Sequence, residues 1–167
     1  MTAKTAFGSI NNYDKGGVEI TGDDEPSRYL FSNVFDVASR SAPWERVVVA
    51  KNLEFTVEAT RMENASPWYI CAHDETLLIM EGSARISFIK PDADADVVPA
   101  DDKEGAVRLD GAPTGSPMGH VEASQGHLTL LPAGAAYQVQ PDSLSVGLFQ
   151  SVLGEESIEK WAEICQR

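Results

Sequence analysis

The chain has 167 residues, 43% of them hydrophobic and 23% charged, with 26 acidic against 13 basic side chains and a formal net charge of -13. This is enough chain to bury one core without disulfide or metal staples, and the composition is that of a globular domain rather than a disordered segment. The acidic balance excludes nucleic-acid binding, which needs clustered Lys and Arg, and no run approaches the roughly eighteen apolar residues of a spanning helix.

In chain order, residues 1–25 are Gly- and Asn-rich and predict an arm, with no apolar run of the signal-peptide kind, so a cytoplasmic address is expected. Ser27 to Ala38 carries Leu30, Val34 and Val37 at helical spacing behind Pro26, which predicts a helix with strand as the alternative. From Arg46 to Thr60 the pattern alternates: Leu53, Phe55, Val57 and Ala59 face one way, and Glu54, Thr56, Glu58 and Thr60 the other, as in a half-buried strand. Short strands are then expected at Trp68 to Ala72, Leu77 to Met80, Ala84 to Ile89, Val121 to Ala123, Leu128 to Leu131, Tyr137 to Gln140 and Leu144 to Phe149. Turns at Glu81-Gly82, Gln125-Gly126 and Pro132-Ala133-Gly134 punctuate them. Between them, 91–119 is rich in Asp, Pro and Gly and predicts an insertion loop. Its Asp92, Asp94 and Asp96 have the opening spacing of a calcium loop, but Val97 and Lys103 stand where that loop needs Gly and Glu. The last segment, 154–167, predicts a helix from Glu155 to Gln166 with Ile158, Trp161, Ala162 and Cys165 on one face. Many short strands with regular turns read as a β-sandwich or barrel spanning 26–153.

The residues that could carry chemistry are few. Cys71 and Cys165 are too few for a disulfide framework and read as thiols, and nothing beside Cys71 in sequence would activate it as a nucleophile. No Ser-His-Asp pattern, phosphate loop or Cys-x-x-Cys pair is present. His73 lies two residues from Glu75, while His120 and His127 flank a strand; all three read as solvated turn or exterior histidines.

The run Pro67-Trp-Tyr-Ile-Cys-Ala-His-Asp-Glu-Thr-Leu-Leu-Ile-Met-Glu-Gly82 resembles the first motif of the cupin superfamily, with Glu75 and Gly82 at the required separation. Gly126, Pro132 and Gly134 fit the second motif. The resemblance implies an all-β fold: a single cupin jelly-roll barrel, here with an N-terminal arm and a C-terminal helix. Cupins hold a metal with three histidines and a glutamate, a set suited to ions such as Fe(II). The matching positions here are Tyr69, Cys71, Glu75 and Tyr137, so three of four ligands are replaced. Neither a metal nor a catalytic residue is therefore expected on this chain. Trp68, Tyr69, Cys71, Glu75 and Tyr137 are the vestigial positions, expected to line or fill the pocket.

More narrowly, the Pro67 to Glu75 run, the Gly126 to Tyr137 segment and the chain's length are similar to the small subunit of the two-subunit hydroquinone 1,2-dioxygenases. That resemblance implies an α2β2 heterotetramer in which a larger cupin subunit holds Fe(II) and cleaves the ring with O2, while this chain, inactive alone and binding no cofactor, shapes the complex. Trp44 and Trp161 are candidate interface anchors, and Trp68 a candidate contributor to the substrate channel. Two rivals remain at this point: a stand-alone homodimeric cupin binding a small aromatic, and a metal-independent enzyme using Glu75 with a neighbouring tyrosine.

Overall fold

The structure, a computed structural model, describes residues 8–14, 18–20, 28–31, 33–100 and 104–160. Its elements are β1 (Val18–Ile20), β2 (Arg28–Phe31), α1 (Val34–Arg40), β3 (Arg46–Asn52), β4 (Phe55–Met62), β5 (Trp68–Ile70), β6 (Glu75–Glu81) and β7 (Ser83–Pro91). They continue with β8 (Val107–Leu109), β9 (Gly115–Ser124), β10 (Leu128–Leu131), β11 (Ala136–Pro141), β12 (Ser145–Val152) and β13 (Ser157–Ile158). Two sheets result. One runs β1-β2-β3-β4-β12-β6-β10, with β13 paired to β3; the other runs β8-β5-β11-β7-β9.

The core between the sheets is built where apolar residues alternate. Leu77 and Ile79 of β6, Ile86 and Phe88 of β7, Val139 of β11 and Phe149 of β12 are buried together with Tyr69 and Tyr137. The expected turns close these strands. At Gly82 the backbone has φ +83°, and a Cβ there would meet Ser145 Oγ at 2.0 Å, so only glycine fits between β6 and β7.

Several expectations are corrected. Arg46 to Thr60 is two strands, not one: the chain reverses at Leu53-Glu54, with Leu53 at φ 59°. The two central residues of the reversal are neither Gly nor Asn, the usual occupants of such a turn, and Asn52 stands just before them. The buried interior face of β4 is the polar one, with Thr56, Glu58 and Thr60 buried, while Phe55 is exposed. Ala59 is buried on the opposite face under α1, packed with Val37, Val47 and Val49. The stretch 91–119 contains β8 and the first half of β9 rather than a continuous loop. Strand β9 pairs with β7 across a bulge between Phe88 and Ile89, opposite Gly119 and Pro117. Pro and Gly at an edge-strand bulge hid that strand from the alternation pattern.

The segment from Ser27 divides: Arg28–Phe31 is strand, and the helix begins only at Val34, where the Asn33 side chain caps it by accepting from the backbone N–H of Phe35 (3.0 Å) and Asp36 (3.3 Å). Part of the predicted arm lies on the barrel. Ile10 is buried with Phe35, Ala38 and Val146, and its N–H donates to Glu81 Oε2 at 2.6 Å. Residues 18–20 form β1. The C-terminal helix does not start as expected, because 155–160 is a turn followed by β13, which pairs parallel with β3. Trp161, Ala162 and Cys165 lie outside the described residues. Among the described residues no helix is long and apolar enough to cross a membrane.

Candidate functional site

Strand alternation carries the side chains of β4, β6 and β11 into the barrel, where Glu58, Glu75 and Tyr137 meet. All three are 0–1% exposed. Arg46, at the start of β3 and 3% exposed, joins them. Its guanidinium donates from Nε to Glu58 Oε2 at 2.6 Å and from Nη2 to Glu75 Oε1 at 2.8 Å. The Tyr137 hydroxyl donates to Glu75 Oε2 at 2.7 Å and accepts a long contact, 3.5 Å, from Arg46 Nη1. Thr56 and Ser157 donate to the other oxygen of Glu58 at 3.0 and 2.5 Å, and the Phe149 ring lies 4.3 Å from the guanidinium carbon. Every oxygen of both carboxylates is thus engaged, as buried charge requires.

The network sets its own protonation. Burial pushes the Glu75 carboxyl upward, but the Arg46 charge and the hydrogen bonds from Arg46 and Tyr137 outweigh it and hold Glu75 below its ordinary value. The buried Ser151 hydroxyl sits near enough to add to that field while making no hydrogen bond of normal geometry with a described residue. Burial lowers Arg46, yet Glu75 and Glu58 leave it well above its usual range. Burial and the neighbouring Glu75 charge push Tyr137 well above its usual range, so the phenol stays a donor.

Of the positions singled out in the sequence, the structure brings Tyr69, Cys71, Glu75 and Tyr137 into one buried cluster. The Tyr69 and Tyr137 rings are 5.8 Å apart. Burial raises Tyr69 to about 12, and burial with the Glu75 charge raises Cys71 to about 11, so neither is activated. Trp68, on the same strand as Tyr69, faces the other way, into a cleft of about 910 Å³ that it lines with Trp44, Tyr69, Arg108, Gln138 and Glu156. Trp44 packs against the core, and its indole donates to the Glu63 carbonyl at 3.0 Å. His73 lies in the bend before β6, its Nδ1 against the Asp74 carbonyl at 2.9 Å and its Nε2 buried rather than solvated as expected; His120 and His127 are on exposed surface.

Arg46 and Glu58 were missed by sequence reasoning. The available signal was a lone interior carboxylate, Glu75, which must find a cation once the histidines and their metal are gone.

A metal does not fit this interior. Glu75 is saturated by a guanidinium and a phenol, no imidazole reaches it, and a second cation would have to sit against Arg46. Among the described residues no three His, Cys, Asp or Glu side chains form a ligand cluster.

The fold and this interior define a two-sheet β-barrel domain, with turns at both cupin-motif positions, in which an arginine neutralises the interior carboxylate. Neither a protein-family model nor a curated protein matches the chain. Solved structures do. A chain of hydroquinone 1,2-dioxygenase from Sphingomonas sp. TTNP3, with 4-hydroxybenzoate bound, is 44% identical over 99% of this chain and 98% of its own, with TM-score 0.84. A chain of hydroquinone 1,2-dioxygenase PnpCD, in complex with Cd2+ and 4-hydroxybenzonitrile, is 42% identical over 99% and 98%, with TM-score 0.81. The chain belongs to the hydroquinone 1,2-dioxygenase family. Another PnpCD chain, from a complex with Fe3+, shares only the fold: 16% identity, TM-score 0.56, with 84% of this chain lying over 38% of that one. That second chain is therefore more than twice as long.

Proposed function

We propose that this chain is the small subunit of a two-subunit hydroquinone 1,2-dioxygenase, a cupin barrel that binds no metal and shapes a larger catalytic cupin subunit carrying Fe(II). The observation that carries the reading is that PnpCD matches this chain twice, once with a chain of the same length at 42% identity and once with a chain more than twice as long. A cytoplasmic α2β2 assembly, inactive when either chain is missing, is part of the same reading.

The ion network supports it from within. An interior in which Arg46 and Tyr137 saturate Glu75 leaves no open coordination position for a hydroxyl substrate and O2, which ring cleavage at iron requires. The chain's own contribution then lies outside its centre. The cleft bearing Trp68 and Trp44 offers half-buried indoles to a partner or to a phenol passing toward the iron.

The test is a tagged purification of the chain from its own cells, read by native mass spectrometry and iron content. Copurification of a larger cupin chain, with iron in proportion to that chain, is expected. A metal-free homo-oligomer without a partner would overturn the reading in favour of a stand-alone binding barrel. In the reconstituted complex, Trp68→Ala is expected to alter turnover or substrate affinity, and unchanged kinetics would remove Trp68 from the channel.

A further inference from the structure

We propose that Arg46 is the internal cation of this barrel: its guanidinium occupies the point between Glu58 and Glu75 that a divalent ion would otherwise take, and so keeps the chain free of metal. This concerns the chain's own interior and does not depend on the subunit reading.

The geometry carries the assignment. Two carboxylates from different strands, Glu58 of β4 and Glu75 of β6, direct one oxygen each to a single group at 2.6 and 2.8 Å. Both are shielded from water, and a third oxygen donor, Tyr137, lies alongside. Convergent oxygens around one positive centre are what a hard cation needs. Glu75 is also the residue at the carboxylate position of the first cupin motif, so the convergence falls where that motif places its metal.

Arginine suits the role better than lysine. A guanidinium cannot be deprotonated in a protein, so it never vacates the position by losing charge, and its planar fork serves two carboxylates at once. The guanidinium carbon sits over the Phe149 ring, 4.3 Å from its centroid, which adds a cation–π contact to the two ion pairs. A displacing ion would have to dislodge a cation that is only 3% exposed, while itself losing its water. An ordinary surface ion pair has none of these features.

The experiment uses the full chain, in whatever assembly it purifies, with Mn(II) alone as the probe. Binding is followed by loss of the free-ion EPR signal and by metal content after desalting. The wild type is expected to retain no Mn(II) beyond what a metal-holding partner in the same assembly binds, the partner's share being set by the same measurement on Glu75→Gln. Arg46→Met, which keeps the side-chain volume but removes the charge, is expected to take up Mn(II) roughly tenfold or more tighter, the scale on which neighbouring groups tune a metal site. That uptake is expected to vanish in Arg46→Met/Glu75→Gln, which separates the barrel centre from weak binding at the exposed Asp92, Asp94 and Asp96. Stoichiometric Mn(II) in the wild-type centre, or a folded Arg46→Met that binds no better than wild type, overturns the proposal. If Arg46→Met does not fold with or without Mn(II), Tyr137→His decides: it adds an imidazole beside Glu75 while Arg46 stays. Continued exclusion of metal then supports the assignment, and uptake overturns it.

Discussion

Replacing Arg46 by Met should be among the most costly single substitutions in this chain, and its cost should depend on pH. Arg46 is 3% exposed and compensates two carboxylates that are 0–1% exposed. Removing one partner of a buried ion pair costs about 3–5 kcal/mol, because the remaining charge has neither water nor a counterion. The cost is not doubled for two carboxylates, since Thr56 and Ser157 still donate to Glu58 and Tyr137 still donates to Glu75. About 4 kcal/mol at neutral pH corresponds to a drop of about 8–16 °C in melting temperature for a domain of this size. The pH dependence follows from Glu75. In the wild type its folded value lies below the ordinary 4.5, so its contribution is fully present above that value and fades as the pH falls through the folded value. In Arg46→Met the same carboxyl is buried without its cation, and burial alone raises it. The variant is therefore worst at neutral pH and approaches wild type as the pH falls toward 4. Urea unfolding of both proteins, followed by tryptophan fluorescence between pH 4 and pH 8, measures the gap. A difference below about 1 kcal/mol at pH 7, or a gap that does not narrow on acidification, refutes the account.

Tyr137→Phe keeps the ring against Tyr69 and Phe149 but removes a donor to an ionised carboxylate, and should cost about 1.5–3 kcal/mol in the same unfolding assay; a neutral result would mean that Glu75 does not depend on the phenol. Tyr69 is raised to about 12 and Tyr137 well above its usual range, so absorbance titration of the folded protein at pH 10.5 should leave at least two of the four tyrosines protonated until the chain is unfolded. Cys71 is raised to about 11 and buried, so at pH 8 it should react with a thiol reagent only after denaturation; prompt labelling of Cys71 would contradict its placement. Gly82→Ala should destabilise by more than about 1 kcal/mol, since it forces both a positive φ and displacement of Ser145, and a neutral effect would show that the β6–β7 turn adapts.

The parts of the fold legible in the sequence are those where local chemistry and tertiary packing agree. Leu77 to Met80 is a short apolar run, Ala84 to Ile89 and Tyr137 to Gln140 largely alternate, each has a glycine turn at one end, and each lies within an observed strand. What stayed hidden has physical reasons. The β3–β4 turn puts Leu53 at positive φ, where Gly or Asn is usual, with Asn52 one position early, so two strands read as one. The first half of β9 is an edge with Pro117 and Gly119 at a bulge and almost no buried side chain, so it lacks alternation altogether. The helix expected from Glu155 had acidic residues in its first turn and spaced apolar residues. Hydrogen bonds of Ser157 to the Gly154 backbone and to Glu58 instead hold 155–158 against β3.

The site was half legible, and the missing half follows from what was visible. Reading the motif positions as Tyr69, Cys71, Glu75 and Tyr137 picked side chains that the structure buries side by side, but treated Glu75 as a leftover of a lost metal site. A carboxylate at 1% exposure cannot be left over: without compensation it would be protonated or would unfold its surroundings. The polar row Thr56, Glu58, Thr60, placed on the solvent side because strands usually hide their apolar face, is the other half of the compensation. Ala59 and Val57 on the opposite face could be apolar as well because α1 and its neighbours cover them, so β4 is buried on both sides. The alternation in β4 was real and its phase was inverted. The clue was electrostatic rather than periodic. One interior acid without histidines calls for a buried base, and Arg46, standing immediately before the apolar run Val47–Val49, was the cation placed to reach it.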